Sequence, residues 1–313
     1  MKPINPTQKH NFSQGFYLTD GGLETTMVFH YGVELPHFAA FELVTYPDGQ
    51  KYLQKYFAPY LEMAQQYDMH FILDTPTWRA NTDWGIKLGY SQEELDKLNC
   101  TAVQFMRELQ ARSSYADHIL IDGVIGPRGD GYVATERMTI EKAMQYHRPQ
   151  IQTFASEGVD IVTAMTITYT DEGIGIVKAA QQARVPVAIS FTVETDGRLP
   201  SGETLSEAIT KTDKFTDWYA KHFMINCAHP QHFEAILKNG GEWQQRIRGI
   251  RANASTKSHA ELDESETLDT GDKCQLAEGY VQLRKALPDL RIIGGCCGTD
   301  HSHLEEICKH LFQ

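Results

Sequence analysis

Three of the six cysteines stand where they could bind a metal ion together. Cys227 follows one apolar segment, and the adjacent Cys296 and Cys297 follow another much later in the chain. Thiolates select zinc or softer ions, and three protein ligands leave the fourth tetrahedral position open, as in catalytic zinc sites. The sequence therefore predicts a zinc site made of these three side chains. Cysteine is also a common core residue, and apolar packing is the role we expect for the others, Cys100, Cys274 and Cys308.

Two other interpretations apply to the same segments. Glycine-rich backbone such as Gly294-Gly295-Cys296-Cys297-Gly298 could cradle a phosphate before a helix, but no Lys or Arg accompanies it. Nearby histidines could add nitrogen ligands, but their positions at helix starts favour capping or solvent exposure. They are His229, His232, His301 and His303.

The cysteines need a scaffold that brings distant parts of the chain together. Short apolar, β-branched segments alternate with longer amphipathic stretches from one end of the chain to the other. This alternation favours eight parallel strands closed into a (β/α)8 TIM barrel, with an open doubly wound sheet as the alternative. The predicted strands are Phe16–Asp20, His70–Asp74, His118–Ile125, Val159–Ile167, Val185–Val193, His222–Cys227, Ile247–Asn253 and Leu290–Gly294.

The stretches between the strands have helical spacing, and no linker interrupts the pattern. We therefore predict one domain over residues 1–313, with a long irregular loop at Ala254–Asp272 that forms a rim or a subunit contact. Two predicted apolar helix faces are Leu95, Leu98, Ala102, Phe105, Met106 and Leu109, and Leu205, Ala208, Ile209, Phe215 and Trp218.

The carboxyl ends of the strands carry polar residues, and in a parallel barrel these ends form the working face. Asp20, Gly21 and Gly22 end the first strand, and Asp74 ends the second. The other ends supply Met165 and Thr166, Ser190, and Asn226 with Asn253. We expect these residues to surround the cysteines, so that the sequence predicts a polar cleft beside the metal.

Composition narrows the class of function. Of the 313 residues, 41% are hydrophobic and 22% are charged, as is usual for a globular protein. With 29 Lys and Arg against 41 Asp and Glu, the net charge is −12, which disfavours binding to nucleic acid or anionic membrane. Residues 1–15 have no apolar leader, and no later run could span a membrane, so we expect a cytoplasmic protein.

Four segments resemble the homocysteine S-methyltransferase family, which includes the betaine-homocysteine methyltransferases. The resemblance covers nearly the whole chain, and the order and spacing of the segments make chance similarity improbable. The matching segments are Leu18-Thr19-Asp20-Gly21-Gly22, Ile189-Ser190-Phe191-Thr192 with the loop through Glu203, Ile225-Asn226-Cys227-Ala228-His229-Pro230, and Gly294-Gly295-Cys296-Cys297-Gly298-Thr299.

The resemblance implies a TIM barrel with zinc on the three cysteines and methyl transfer to homocysteine, giving methionine. Zinc would deprotonate the acceptor thiol, and the thiolate would attack a methyl group on a sulfonium or quaternary ammonium. In the family, the residue matching Asp20 holds the homocysteine ammonium, and the backbone matching Gly21 and Gly22 receives its carboxylate. The expected substrate contacts are thus Asp20, Gly21, Gly22, Met165, Thr166, Ser190 and Asn226.

One position departs from the family. The family places a glutamate at the end of strand four as a second anchor for the ammonium, and this chain has Met165 there. The lost charge-assisted hydrogen bond is worth about 1.5 to 3 kcal/mol. A different thiol acceptor is therefore an alternative, and Asp74, Glu194 or Glu24 could replace the missing charge.

Other functions remain open at this point. The methyl donor could be S-methylmethionine, S-adenosylmethionine or betaine, and the aromatic rings of Trp78 and Trp84 could pack against its cationic group. A zinc hydrolase or lyase would use Asp20, Asp74 or Glu194 as general base. A zinc-binding homologue without turnover is the third possibility, favoured by Met165.

Overall fold

The computed structural model describes residues 12, 15–238, 240–265 and 267–313. Its eight strands are all parallel and close into a barrel in chain order, so the TIM barrel prediction is confirmed and the open sheet was wrong. The remaining residues, which the one-domain prediction also covers, lie outside the described part. The strands are β1 Tyr17–Leu18, β2 His70–Asp74, β3 Ile119–Ile125, β4 Ile161–Ile167, β5 Val187–Phe191, β6 His222–Asn226, β7 Ile247–Ala252 and β8 Ile292–Gly295.

Helices connect the strands and cover the outside of the barrel. The first apolar face from Leu95 to Leu109 is buried as predicted, but the second was wrong at its end. Phe215 and Trp218 are 50% and 65% exposed, because the helix ends at Phe215 and its apolar face ends before it. The helices are α1 Leu23–Thr25, α2 Pro47–Gln66, α3 Thr82–Lys87, α4 Gln92–Arg112, α5 Ile140–Glu157, α6 Thr170–Ala183, α7 Leu205–Phe215, α8 Pro230–Leu237, α9 His259–Asp263, α10 Lys273–Ala286 and α11 His301–Phe312.

The barrel interior changes from apolar to polar along the strands. A cluster of Tyr17, Ile72, Leu120, Met224 and Ile292 fills the amino-terminal end. Because strand side chains alternate, the residues two positions later face the same interior. On β2, β3 and β6 these are Asp74, Asp122 and Asn226, all buried. The apolar cluster thus forms a floor, and the polar layer above it opens toward the carboxyl ends of the strands.

The described residues of the segment from Ala254 to Asp272 lie at the rim of this opening. The segment contains the short helix α9 and places Ser255, His259 and Leu262 along the cleft. The predicted rim position is therefore correct. No helix within the described ranges has the length and apolar character needed to cross a membrane.

Candidate thiolate and substrate site

The three predicted cysteines come together at the carboxyl end of the barrel. Cys227 Sγ lies 2.9 Å from Cys296 Sγ and 3.6 Å from Cys297 Sγ. All three sulfurs lie within 4.8 Å of one another, and they form the one group of this kind that the described residues contain. Because sulfur ligands bind a zinc ion at about 2.3 Å, sulfurs this close together can share one ion.

A strained backbone directs Cys227 toward its partners. Cys227 follows β6 with φ of 58°, a left-handed conformation that is uncommon for a residue with a side chain. Its carbonyl oxygen accepts a hydrogen bond from Asn253 Nδ2 at 3.1 Å and another from the ring of His259. These two bonds from the β7 end and from α9 stabilise the turn and so fix the sulfur.

The glycines before Cys296 permit close packing and do not have positive φ angles. A Cβ on Gly294 would lie 1.9 Å from Thr19 Oγ1, and one on Gly295 would lie 2.1 Å from Thr299 Oγ1. Only Gly298 in this segment has a positive φ, of 78°. Close packing of β8 against Thr19, and of Gly295 against the turn at Thr299, therefore positions Cys296 and Cys297.

The donor set fits a soft divalent cation. Hydrogen bonds from the neighbouring thiols hold the pKa of Cys296 well below its usual range, and hydrogen bonding to Cys296 raises the pKa of Cys227. No Lys, Arg or His in the described part donates a hydrogen bond to these sulfurs. Further thiolate charge in this buried cluster would thus require a cation such as a metal ion.

Asn226 connects the cysteines to the strands beside them. Its Oδ1 accepts from Ser190 Oγ at 2.6 Å and from Thr166 N at 2.9 Å, and its Nδ2 donates to Thr166 Oγ1 at 2.9 Å. The same Nδ2 lies 3.9 Å from Cys296 Sγ. Thr166 has φ of 62° beside an irregularity in the β4–β5 register, so these bonds also hold a strained turn.

Tyr132 contacts the cluster but was not predicted from the sequence. Its hydroxyl lies 3.2 Å from Cys227 Sγ and 3.7 Å from Cys297 Sγ. Burial raises the pKa of Tyr132 well above its usual range, so the hydroxyl keeps its proton. Tyr132 lies in the loop between β3 and α5, far from the cysteines in sequence. The one sequence feature that could have indicated a role in the site is its place in a loop after a strand end.

A second polar cluster lies beside the thiolates, and it is already paired. Arg251 forms ion pairs with Asp20 and Asp74, and Tyr56 donates to the second oxygen of Asp20 at 2.9 Å. Burial raises the pKa of Asp20 to about 6, against the opposing charge of Arg251. Burial also raises the pKa of Asp122, which faces Asp74 across β2 and β3, well above its usual range. We call Asp20, Asp74 and Arg251 the charged cluster.

The other expected substrate residues also border the cleft. Gly21 lies against Tyr60 and Thr299, and Gly22 lies against Cys296, so neither could carry a side chain. Gly22 N already donates to Thr299 O at 3.0 Å. Met165 lines the cleft and is 7% exposed.

The indole rings of the cleft are already in contact with protein cations. The guanidinium of Arg79 lies 3.9 Å from the ring centres of both Trp78 and Trp84, and Lys87 Nζ lies 3.9 Å from that of Trp84. These contacts occupy ring faces that a cationic donor would need.

Several predicted alternatives are positioned outside the cluster. His229 caps α8, and His303 completes the capping box of α11, as the helix-start positions indicated. Glu194 pairs with His259 at 3.3 Å rather than lining the cleft. Cys308 is buried as expected, but Cys274 is exposed, so packing was the wrong interpretation for it.

Both clusters open into one cleft of about 560 Å³. Its wall includes the charged cluster, two of the cysteines and residues beside both: Asp20, Glu24, Asp74, Arg251, Trp78, Trp84, Tyr132, Met165, Asn226, Cys296 and Cys297. That volume is sufficient for small molecules of amino-acid size.

Comparisons with known proteins agree with this architecture. The family model described as homocysteine S-methyltransferase matches residues 17–311. Homocysteine S-methyltransferase 1 of Arabidopsis thaliana is 24% identical over 95% of this chain and 94% of its own length. Selenocysteine Se-methyltransferase of Brassica oleracea var. italica is 24% identical over 95% and 89%. The metallated form of the Escherichia coli homocysteine methyltransferase MmuM has a similar fold, with a TM-score of 0.73, 19% identity and coverage of 97% and 99%.

Proposed function

The chain belongs to the homocysteine S-methyltransferase family and is a methyltransferase, and from this membership we propose that it is zinc-dependent and methylates homocysteine to give methionine. The methyl donor would be a sulfonium or quaternary ammonium compound such as S-methylmethionine, S-adenosylmethionine or betaine. The observation that carries the proposal is the group of three sulfurs within 4.8 Å of one another at the mouth of the barrel.

Cys227, Cys296 and Cys297 would hold the zinc ion, which when bound lowers the pKa of a coordinated thiol and so presents the acceptor as a thiolate. Three thiolate ligands make zinc a poor Lewis acid for water but suit it to holding another sulfur. A reducing compartment such as the cytoplasm, where we propose the enzyme acts, would keep these free cysteines reduced.

Methyl transfer itself requires alignment more than acid–base chemistry. The acceptor thiolate attacks the methyl carbon, a new S–C bond forms, and the bond from carbon to the donor heteroatom breaks. The donor takes that electron pair and leaves as a neutral thioether or amine, so no proton moves in this step. The cleft contributes by holding the two substrates in line and by excluding water.

The chain's own residues fix the sulfur end of this arrangement. Asn226 holds the turn at Thr166 and contacts Cys296, while Asn253 and His259 hold the turn at Cys227. The Tyr132 hydroxyl is close enough to donate to Cys227 Sγ and to moderate its negative charge. Such fixed partners of metal ligands typically tune both metal affinity and ligand basicity.

The hydrolase alternative has less support because the three carboxylates expected to act as its general base already have partners. Asp20 and Asp74 are ion-paired with Arg251, and Glu194 lies with His259. To act on a water molecule, each of these carboxylates would first have to leave its partner.

The direct test is turnover with a panel of donors. Zinc-loaded protein with homocysteine should form methionine from at least one of S-methylmethionine, S-adenosylmethionine and betaine. Zinc-edge X-ray absorption should show a fourth sulfur ligand when homocysteine is added. Zinc that keeps an oxygen ligand in the presence of a thiol would contradict the proposal, as would the absence of methionine with every donor while the protein is folded and zinc-loaded.

A second candidate is the same chemistry on a thiol other than homocysteine. Arg251 and Tyr56 already bind both oxygens of Asp20, and the thioether of Met165 offers no charge to an ammonium group. Both features weaken recognition of an α-ammonium group. A thiol with a carboxylate but no ammonium, such as 4-mercaptobutyrate, fits this environment better.

The two acceptors can be compared directly. If the second candidate is correct, kcat/KM for 4-mercaptobutyrate should exceed that for homocysteine, and Met165→Glu should reverse the preference. The added carboxylate would contribute about 1.5 to 3 kcal/mol toward an ammonium. Met165→Gln, with the same shape but no charge, should leave the preference unchanged. A wild-type preference for homocysteine would exclude this candidate.

A further inference from the structure

Arg79 is a buried arginine without a carboxylate partner. Arg79 and Arg251 are 8% and 7% exposed, the two most buried arginines in the described part of the chain. Arg251 pairs with two aspartates, but no carboxylate oxygen in the described residues lies within 4.0 Å of the Arg79 guanidinium. A buried charge is costly unless it is paired. The protein therefore compensates the charge of Arg251 but not that of Arg79.

The guanidinium is held rigidly although its hydrogen bonding is incomplete. Its central carbon lies over the rings of both Trp78 and Trp84, 3.9 Å from each centre. Its one hydrogen bond within the described ranges runs from Nη1 to Gly129 O at 3.2 Å, and the buried Nε has no partner. Contacts with the two rings leave N–H groups of the guanidinium for hydrogen bonding, and such a planar set of donors recognises a carboxylate.

The surroundings explain why this charge stays unpaired within the protein. The largest effect of a carboxylate on Arg79 comes from Asp130, whose Oδ1 accepts from Tyr132 N at 2.7 Å and so closes its own turn. Glu24 also lines the cleft, and its effect on Arg79 is smaller than that of Asp130. Arg79 itself lines the cleft shared with Cys296 and Cys297. A positive group is thus fixed in the wall of a substrate cleft in a protein of net charge −12.

The position of Arg79 also connects it to the strand-four end. Trp78 Nε1 donates to Met165 O at 3.3 Å, and Trp84 Nε1 donates to Gly129 O at 3.4 Å, the carbonyl that Arg79 also contacts. The stack is therefore tied to β4 on one side and to the loop after β3 on the other. A group bound at Arg79 would lie in the same cleft as the reacting sulfur.

We infer that Arg79 is the receptor for a carboxylate carried by one of the two substrates. The inference rests on the proposed function, because it assumes that a thiol and a methyl donor share the cleft. Both substrate types can carry a carboxylate, so the shared chemistry is an anionic group at the guanidinium edge. Arg79 is in this sense a specificity residue, since it would distinguish amino-acid-like substrates from analogues that lack the carboxylate.

Matched pairs of probes can test this by binding, without turnover. Homocysteine is compared with 3-aminopropane-1-thiol, and S-methylmethionine with (3-aminopropyl)dimethylsulfonium. Each pair differs only by the carboxylate. In calorimetry with the full-length wild-type protein, the carboxylate member of one pair should bind about 10- to 100-fold more tightly. The pair that shows the preference identifies which substrate Arg79 holds.

Variants then assign the preference to Arg79. Arg79→Gln should abolish it by weakening only the carboxylate member, and Arg79→Lys should restore part of it. Lys87→Gln removes the same charge from the same indole but does not line the cleft, so it should keep the full preference. If Arg79→Gln does not fold, the partial effect of Arg79→Lys carries the test.

The inference is overturned if neither pair shows a preference in the wild type, including the case in which no probe binds. It is also overturned if the Arg79 variants weaken both members of a pair equally, or if Lys87→Gln has the same effect as Arg79→Gln. Failure of the proposed function is distinguishable. A protein that never forms methionine but loses carboxylate preference with Arg79→Gln would refute the methyl transfer and retain the receptor.

Discussion

The thiolate cluster, Cys227, Cys296 and Cys297, and the charged cluster lie at the same cleft, but they neutralise charge in different ways. Cys227, Cys296 and Cys297 bring three sulfurs within 4.8 Å of one another without a basic side chain bonded to them. In the charged cluster, Arg251 lies between Asp20 and Asp74. The first cluster becomes a stable ionic site only with an added cation, whereas the second contains its own counter-charge.

The two clusters therefore differ in how strongly they can bind an added ion. A cluster of buried like groups binds a cation because the cation removes repulsion and satisfies the ligands at the same time. A cluster that is already paired gains little from a further ion, since an existing ion pair would have to open first. We therefore expect changes in the thiolate cluster to alter metal content, and changes in the charged cluster to alter stability and acceptor preference.

The largest effect is expected from loss of a cysteine. Cys297→Ser should lower zinc affinity by more than about 100-fold, because loss of a ligand exceeds the 10- to 100-fold effects of residues behind the ligands. Methyl transfer should fall in parallel. Metal analysis after dialysis and an assay for methionine would measure both.

The matched control for this change is Cys274→Ser. Cys274 is exposed on α10 and lies outside the cluster, so its loss should leave zinc content and turnover unchanged. Stoichiometric zinc in Cys297→Ser would contradict the assignment of the ligands.

The next effect tests the charged cluster. Arg251→Met would leave two buried carboxylates without their cation, which should destabilise the protein by about 3 to 5 kcal/mol. Chemical denaturation would show this as a lower midpoint. Arg251 Nε also donates to Gly295 O, directly before Cys296, at 3.0 Å, but the variant keeps all three sulfurs, so zinc content of the protein that remains folded should stay near one per chain.

Arg248→Met is the control on the same strand. Arg248 pairs with Asp289 at 3.2 Å, and both side chains are partly exposed, at 24% and 38%. Its loss should cost at most about 1 kcal/mol. If Arg251→Met instead lost zinc without losing stability, the two clusters would not be independent, and the comparison would fail.

His222 shows a third way to bury an ionisable group, which is to keep it neutral. It lies at the opposite end of the barrel, at the start of β6, and burial with nearby Arg246 and Arg248 lowers its pKa to about 3. Since its pKa in the unfolded chain is near 6.5, protonation favours unfolding. Its contribution to stability is complete above pH 6.5 and is lost as the pH falls from there toward 3.

The expected loss from His222 is about 2 kcal/mol between pH 7 and pH 5. His222→Gln cannot titrate, so the free energy of unfolding of this variant should fall less over the same range. Comparing the two proteins at each pH cancels the other titrating groups. Parallel curves for wild type and variant would show that His222 is charged or exposed in the folded state.

The barrel could be predicted because its strand and helix patterns repeat along the chain. The cysteine group could be predicted because its members stand at the ends of predicted strands. Eight apolar segments alternating with helical stretches give the fold, and strand ends of one barrel meet at one face. The positions of Cys227 and of the Cys296–Cys297 pair at predicted strand ends therefore indicated that they lie close together. Phe215 and Trp218 were predicted wrongly because periodicity does not indicate where an apolar helix face ends.

The pairings around the cysteines could not be predicted from the sequence. Arg251 reads as one polar residue in a strand, and its aspartate partners come from β1 and β2 at the other end of the chain. Arg79 stands in a segment where the tryptophans looked available to a ligand, but it occupies their faces itself. Such contacts depend on the three-dimensional path of loops, for which a single sequence carries no periodic signal.

The smallest effect is expected from Tyr132, and it tests whether the metal-binding group consists of the three cysteines alone. Its hydroxyl lies 3.2 Å from Cys227 Sγ, so Tyr132→Phe removes one hydrogen bond to a sulfur and leaves the ring on His259 in place. A neutral hydrogen bond contributes about 1 kcal/mol, so turnover should change by about fivefold at most, with zinc content unchanged. Tyr146→Phe, whose hydroxyl bonds to Asn81 at 2.8 Å, is the control and should leave turnover unaltered. Loss of zinc from Tyr132→Phe would instead mean that the hydroxyl oxygen belongs to the metal-binding group, and the cluster would then be more than three cysteines.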